Sequence, residues 1–252
     1  MPNPKSIFLT GASSGLGRGL ALHYAKQGAT VYAAARRKDE LQKLAAEAGG
    51  SGIVPVQLDV QDTDALVDAI HRAEEESGGA LDMVIANAGI GQPTPARKMD
   101  WAVVKKIMDV NVTAACVTVA AALPKMIARD EGHVVAVSSL AAFRGMPGNA
   151  SYCASKAAVH TFMESVRVDL RRTKVRATTI YPGFVRTEMT AKNKFPMPFL
   201  MELDKAVAVM AKGLSRGART IAYPLPMVAM TRAMGAIPAA LYEPLAGRVR
   251  MF

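Results

Sequence analysis

The sequence predicts an α/β domain built on a doubly wound parallel sheet. Short apolar runs alternate with amphipathic stretches of helical length across residues 6–214. The runs are apolar along most of their length, the pattern of strands covered on both faces by helices. At 252 residues, half of them hydrophobic, the chain suits one sizeable core.

The first strand is SIFLT, residues 6–10, and a helix is expected over 16–27. Between them lies GASSGLG, with Gly11, Gly15 and Gly17 letting the backbone turn sharply and approach an anionic group closely. A helix N-terminus after such a turn offers free N–H groups and the positive end of a dipole. The spacing differs from GxGxxG, so a plain strand–helix connection is the alternative. The second strand, 30–34, ends at Ala35, Arg36 and Arg37. In a dinucleotide fold an acidic residue here holds the adenosine ribose, whereas an arginine suits a 2′-phosphate. Ala35 stands where the acid would be and Arg36 follows it, which favours NADPH over NADH; solvated loop charges are the bland alternative.

A helix over 38–48 stops at Gly49-Gly50-Ser51-Gly52, and a third strand over 53–58 leads to Asp59 and Val60. Asp59 can accept from an adenine amino group or cap the next helix. A helix over 63–76 precedes a fourth strand, 81–86, that runs into Asn87-Ala88-Gly89, small enough for a cofactor to lie against. Residues 101–128 form a long helical stretch that Pro124 kinks or breaks, with Asn111 in an apolar neighbourhood where it needs partners. HVVAVSS, ending at Ser139, is a buried strand. Residues 175–181 form another strand, 204–214 a helix, and the loop between them is rich in Met and Phe, suited to an adaptable apolar pocket.

The chemistry centres on the stretch SLAAFRGMPGNASYCASK: Ser139, then Tyr152 13 residues on, then Lys156 four beyond that. On a helix Tyr152 and Lys156 share a face. Tyrosine titrates near about 10, and a fixed ammonium beside the phenol favours its phenolate, bringing acid/base work toward neutral pH. A Ser139 hydroxyl at a strand end can bond the same substrate oxygen. Alone, the pair also reads as an ordinary surface pair.

Bulk properties exclude several classes. The net charge is +10, but the cations are scattered and few aromatics interleave them, so nucleic acid is not the expected partner. Two cysteines, Cys116 and Cys153, have no metal spacing and suggest no disulfide framework; no metal site is expected. The start, MPNPKSIFLTG, lacks the features of a signal peptide, and no uninterrupted apolar run reaches the roughly 18 residues of a spanning helix. A cytoplasmic protein is the expectation.

With these residues in place the chain resembles the short-chain dehydrogenase/reductase family, in its compact single-domain branch. The matching motifs are Thr10-Gly11…Gly15-Leu16-Gly17, Asp59-Val60, Asn87-Ala88-Gly89, Asn111, Ser139, Tyr152…Lys156, and Pro182-Gly183 with Val185 and Thr187, in order over residues 10–187. The resemblance implies a Rossmann-type parallel sheet of about seven strands in one domain over 1–252. It implies that Tyr152 is the acid or base, that Lys156 lowers the Tyr152 pKa and binds the nicotinamide ribose, that Ser139 polarises the carbonyl and that Asn111 anchors a relay water. Gly11, Ser13, Gly15, Leu16, Arg36, Asp59, Val60, Asn87, Val185 and Thr187 would hold NADP(H) with Tyr152 and Lys156. The helices carrying Asn111 and Tyr152 imply a homodimer.

Residues 220–252 depart from the family's fatty-acid-synthesis members. They are apolar, are interrupted by Pro224, Pro226, Pro238 and Pro244, and from Ser215 onward carry five arginines against one glutamate. An apolar lid, a dimer surface, a contact with anionic lipid or a packed extension are the readings. The expected function is NADPH-dependent interconversion of a lipophilic ketone or aldehyde with its alcohol. The alternatives are a 3-oxoacyl reductase or hydroxyacyl dehydrogenase, and an NADPH-binding regulator with little catalysis.

Overall fold

Alternation along the first strand shows how the chain divides its core. In β1 (Ser6–Thr10), Ile7 and Leu9 pack into one apolar cluster while Phe8 packs into another on the opposite face, the two-residue period of a strand. This is a computed structural model, and it describes residues 4–50, 52–191, 193 and 195–247. The further strands are β2 (Thr30–Ala35), β3 (Ile53–Gln57), β4 (Met83–Ala86), β5 (His133–Val137), β6 (Arg176–Pro182) and β7 (Thr220–Tyr223). All pair in parallel, in the order β3-β2-β1-β4-β5-β6-β7. The central β1, β4 and β5 are buried throughout. β3 is an edge strand with exposed positions, which is where Pro55, lacking a ladder N–H, is tolerated.

On one face lie α1 (Gly15–Ala25), α2 (Lys38–Glu47) and α8 (Leu203–Ser215), burying Leu20, Leu41, Leu44, Met210 and Leu214. On the other lie α3 (Thr63–Glu76), α5 (Ala114–Arg129) and α6 (Ala150–Asp169), burying Leu66, Ile70, Val119, Met126 and Met163. Each such side chain contributes about 1.5–3 kcal/mol when fully buried. Helix α3 starts where the Asp62 carboxylate accepts from Ala65 N at 3.0 Å. Helix α4 (Trp101–Met108) starts where Asp100 accepts from Ala102 N at 2.8 Å.

The long helical stretch differs from its expected form. After α4 the helix widens to a π-turn over Asp109–Thr113 before α5 continues, and Pro124 sits inside α5 without ending it. Pro124 and Ala120, whose carbonyl loses its donor there, are both exposed, so water can take that carbonyl. By length and composition the helical run Trp101–Arg129 is apolar enough to cross a membrane. Here Val110, Ala114, Val119, Ala122 and Met126 instead pack it against the sheet.

The C-terminal region also needs correction. Thr220–Tyr223 is the seventh strand, paired with β6, so the extension begins at Pro224 rather than at residue 220. It continues as α9 (Leu225–Ala236) and α10 (Ala239–Ala246). Met227 and Val228 of α9 are buried with Leu140 and Tyr181, and Phe143 and Phe184 pack against them. Tyr242 of α10 donates to the Gly145 carbonyl at 2.7 Å, with the Arg144 guanidinium 4.1 Å over its ring. None of α10 is buried, and Leu225, Leu241 and Leu245 are exposed. Ser51, Arg248 and Arg250 lie outside the described residues.

Candidate active site

The strand order reverses direction at β1: the chain builds β1, β2 and β3 outward, then returns to lay β4 on the other side of β1. A crevice opens at the carboxyl ends of such neighbours. The turn after β1 and the Asn87-Ala88-Gly89 segment after β4 flank it. Gly11 has φ +72°, and a Cβ there would stand 2.8 Å from Ala88 Cα. A Cβ on Gly17 would stand 2.3 Å from the Gly11 carbonyl oxygen and 2.5 Å from Asn87 Nδ2. Only glycine permits this approach. Thr10 Oγ1 accepts from the Asn87 and Ala88 amides at 3.0 and 3.1 Å, and Asn87 Nδ2 donates to the Thr10 carbonyl at 2.9 Å. The two walls of the crevice are thus tied together.

Ser14, the N-cap of α1, makes no side-chain cap bond, and the first turn holds no acidic residue. The amides at that helix end suit a pyrophosphate. Leu16 packs inward against the core. After β2, Arg36 lies 3.9 Å from the Asp59 carboxylate, and Arg37 reaches across to the glycine turn. Arg37 Nε and Nη2 donate to Ser13 Oγ at 3.2 and 3.1 Å. Adjacent arginines cannot be told apart by composition, and only the backbone path decides which one reaches Ser13. Asp59 Oδ1 accepts from Gln61 N at 3.1 Å, and Val60 is buried. These residues fit a 2′-phosphorylated dinucleotide: a cation and a hydroxyl for the phosphate, an uncapped helix end for the pyrophosphate.

The catalytic side is assembled from β5, β6, the π-turn and α6. Ser139 follows β5 and caps a short 3-10 turn, Leu140–Ala142, its Oγ accepting from Ala141 N at 3.1 Å and lying 3.4 Å from the Pro182 carbonyl. It also faces the Tyr152 phenol, whose pKa it pulls down. Tyr152 and Lys156 stand one turn apart on α6, with Lys156 Nζ 5.7 Å from the Tyr152 ring centre. Lys156 is buried and donates to the Val137 carbonyl at 3.0 Å, and its own carbonyl accepts from Ser138 Oγ at 2.8 Å.

Burial holds the Lys156 ammonium down to a pKa of about 8. Burial likewise raises the Tyr152 phenol above its usual value, and the Ser139 hydroxyl pulls the other way. The Lys156 ammonium, which the resemblance implies lowers the phenol's pKa, is bonded here to the Val137 carbonyl.

Asn111 sits in the π-turn, almost fully buried. Its Oδ1 accepts from Ile90 N at 2.8 Å, and its Nδ2 donates to the Ile90 carbonyl at 2.9 Å and to Ser155 Oγ at 3.0 Å. Ser155 Oγ in turn donates to the Tyr152 carbonyl at 2.7 Å. Asn111 thus locks the segment after β4 to α6. A Cβ on Gly89 would stand 3.4 Å from Lys156 Nζ and 3.5 Å from Asn111 Oδ1, so both groups border one backbone gap. Cys153 is buried and its thiol is pushed up, as an inert packing residue should be.

The segment after β6 covers the crevice. Val185 is buried and bridges to Met201, and its carbonyl accepts from Thr190 Oγ1 at 2.6 Å. Thr187 lies beside Gly15, 3.2 Å from where a Cβ would be, and its amide donates to Thr190 Oγ1 at 2.9 Å. It leads into the short helix α7 (Glu188–Ala191), whose Met189 Sδ and the Tyr152 ring both come within 3.7 Å of a Cβ on Gly91. Sequence reasoning missed Ser155 and Thr190, placed Met189 only within a Met-rich apolar loop, and named Arg37 only as a neighbour of Arg36. Only Thr190 had a local signal, the Thr-x-x-Thr spacing from Thr187. Among the described residues no group of three or more His, Cys, Asp or Glu gathers as for a metal ion.

Comparison with known proteins agrees with this geometry. The family model for short chain dehydrogenase matches residues 5–196. An uncharacterized oxidoreductase of Myxococcus xanthus is 51% identical over 248 residues, 98% of each chain. One from Mycobacterium tuberculosis is 37% identical over 212 residues, 82% of each chain. Among solved structures, a short-chain dehydrogenase from Sphingobium yanoikuyae in complex with NADPH superposes with a TM-score of 0.81 at 25% identity, over 97% of this chain and 96% of that one. A short-chain type dehydrogenase/reductase from Mycobacterium marinum gives 0.76 at 28% identity, over 86% and 93%.

Proposed function

The chain belongs to the short-chain dehydrogenase family, and on that premise we propose that it is an NADPH-dependent oxidoreductase that reduces a lipophilic ketone or aldehyde to the alcohol, with Tyr152 as the acid. One observation carries the reading: the Tyr152 phenol, facing Ser139 and one turn from the buried Lys156, opens on the crevice that begins at the glycine turn. When bound, the coenzyme supplies the hydride. Ser139 donates to the carbonyl oxygen and orients it. Tyr152 passes its proton to that oxygen as the carbonyl carbon gains the hydride, giving the alcohol. The Lys156 ammonium stabilises the phenolate left behind, and Asn111 and Ser155 hold α6 in place and border the route by which a water returns the proton. Arg37 with Ser13 supports NADPH over NADH.

The lipophilic preference rests on Met189 beside Tyr152, on the Phe184 and Phe195 rings 5.9 Å apart, and on Met227. The proposal includes a cytoplasmic homodimer through α5 and α6. It also includes a peripheral membrane contact through α9 and α10, whose exposed leucines accompany Arg232. NADPH oxidation against aldehydes and ketones of rising chain length tests the substrate class. Catalytic efficiency is expected to climb with length; a flat series rejects the lipophilic site, and no turnover with any carbonyl rejects the reductase.

A further inference from the structure

The cation that marks the coenzyme's phosphate end is shared with the roof of the substrate site. Arg37 uses Nε and Nη2 on Ser13 Oγ, and its remaining Nη1 reaches Glu188 Oε2 at 3.1 Å. Glu188 is 151 residues away in sequence and opens α7. The next residue is Met189, whose thioether stands with the Tyr152 ring against Gly91. One ion pair therefore spans the crevice, from the residues suited to a 2′-phosphate to the residue beside the catalytic phenol.

From this geometry, and resting on the NADPH reading above, we propose that Glu188 is a selectivity and positioning residue that competes with the coenzyme's 2′-phosphate for Arg37. A guanidinium has five donors in a rigid fork, and the dianionic phosphate arriving at Ser13 and Arg37 meets the Glu188 carboxylate on the same group. The two anions repel, so phosphate binding releases Glu188 and with it the first residue of α7. A coenzyme without the phosphate leaves the pair in place. Glu188 thereby weakens binding of the phosphorylated coenzyme, and coenzyme identity reaches the residue that covers Tyr152. Both partners are about half exposed, so the pair lies in the range of an exposed ion pair, up to about 1 kcal/mol, which is roughly fivefold in affinity.

The test uses the intact protein and coenzyme fragments, and so does not depend on turnover. Binding of 2′,5′-ADP and of 5′-AMP is measured by calorimetry for wild type, Glu188→Gln and Glu188→Lys. Glu188→Gln is expected to bind 2′,5′-ADP about two- to fivefold tighter, Glu188→Lys tighter still, with 5′-AMP unchanged in both. Hydrogen exchange over residues 187–191 is expected to rise when wild type takes 2′,5′-ADP, but not with 5′-AMP, and to be already raised in Glu188→Gln. Equal or weaker 2′,5′-ADP binding by both variants, or an equal gain for 5′-AMP, overturns the inference while leaving the NADPH reading intact. Wild type that prefers 5′-AMP overturns both.

Discussion

Lys156→Met should stabilise the fold while abolishing turnover. The ammonium is buried with one carbonyl partner and titrates at about 8, against 10.5 for the free side chain. A lysine whose folded pKa is depressed costs stability: the cost is fully present below the folded pKa and vanishes as pH rises through the unfolded one. The fall from 10.5 to about 8 corresponds to about 3 kcal/mol at pH 7. Methionine keeps the apolar stem, but the Val137 carbonyl loses its donor, which costs about 1–3 kcal/mol. The net gain is about 1 kcal/mol, or a melting temperature higher by roughly 2–4 °C for a chain of this size. Thermal unfolding at pH 7 reads it directly. The gain should shrink at pH 10, where wild-type Lys156 is largely neutral. A variant less stable than wild type at pH 7, or a difference that does not change with pH, refutes the argument that Lys156 is held there at the expense of stability.

His133 provides a pH dependence far from the crevice. It is buried at the start of β5 with Nε2 on Thr178 Oγ1 at 2.7 Å, and burial, then Arg176, lower its pKa from 6.5 to about 3. A depressed histidine contributes stability above its unfolded pKa that is lost as pH falls toward the folded one, so about 2 kcal/mol should disappear between pH 7 and 5. His133→Gln should show a correspondingly smaller fall in melting temperature over that interval; an identical fall rejects the assignment. Gly17→Ala drives a Cβ onto the Gly11 carbonyl at 2.3 Å, which costs about 1–3 kcal/mol. It should raise the dissociation constant for NADPH at least tenfold, and unchanged binding would show that the crevice walls need not touch.

Much of this was legible in the sequence because it is local. Six strands announce themselves as short apolar runs, and Ser139, Tyr152 and Lys156 are recognisable by spacing. The seventh strand was not, because TIAY is four residues at a sheet edge followed by proline, and only pairing with Ile180 and Tyr181 distinguishes it from the apolar segment behind it. That Arg37 reaches Ser13 while Arg36 lies near Asp59 depends on the turn out of β2. Helical spacing reports that Lys156 is the neighbour of Tyr152 but not the burial that raises the phenol's pKa. Pro124 failed to break its helix because its freed carbonyl faces solvent, a tertiary fact. Glu188 reaches Arg37 only through the fold.

The central claim is that Tyr152 supplies the proton to a carbonyl in a crevice that binds NADPH. Single-turnover NADPH oxidation by Tyr152→Phe, with coenzyme binding measured on the same sample, tests it most directly. The account predicts NADPH bound within about threefold of wild type and a rate lower by the 10²–10⁴ or more that a positioned general acid contributes. A Tyr152→Phe protein that still turns over within tenfold of wild type contradicts it, and a wild type that binds NADPH tightly yet reduces nothing returns the chain to a coenzyme-binding regulator.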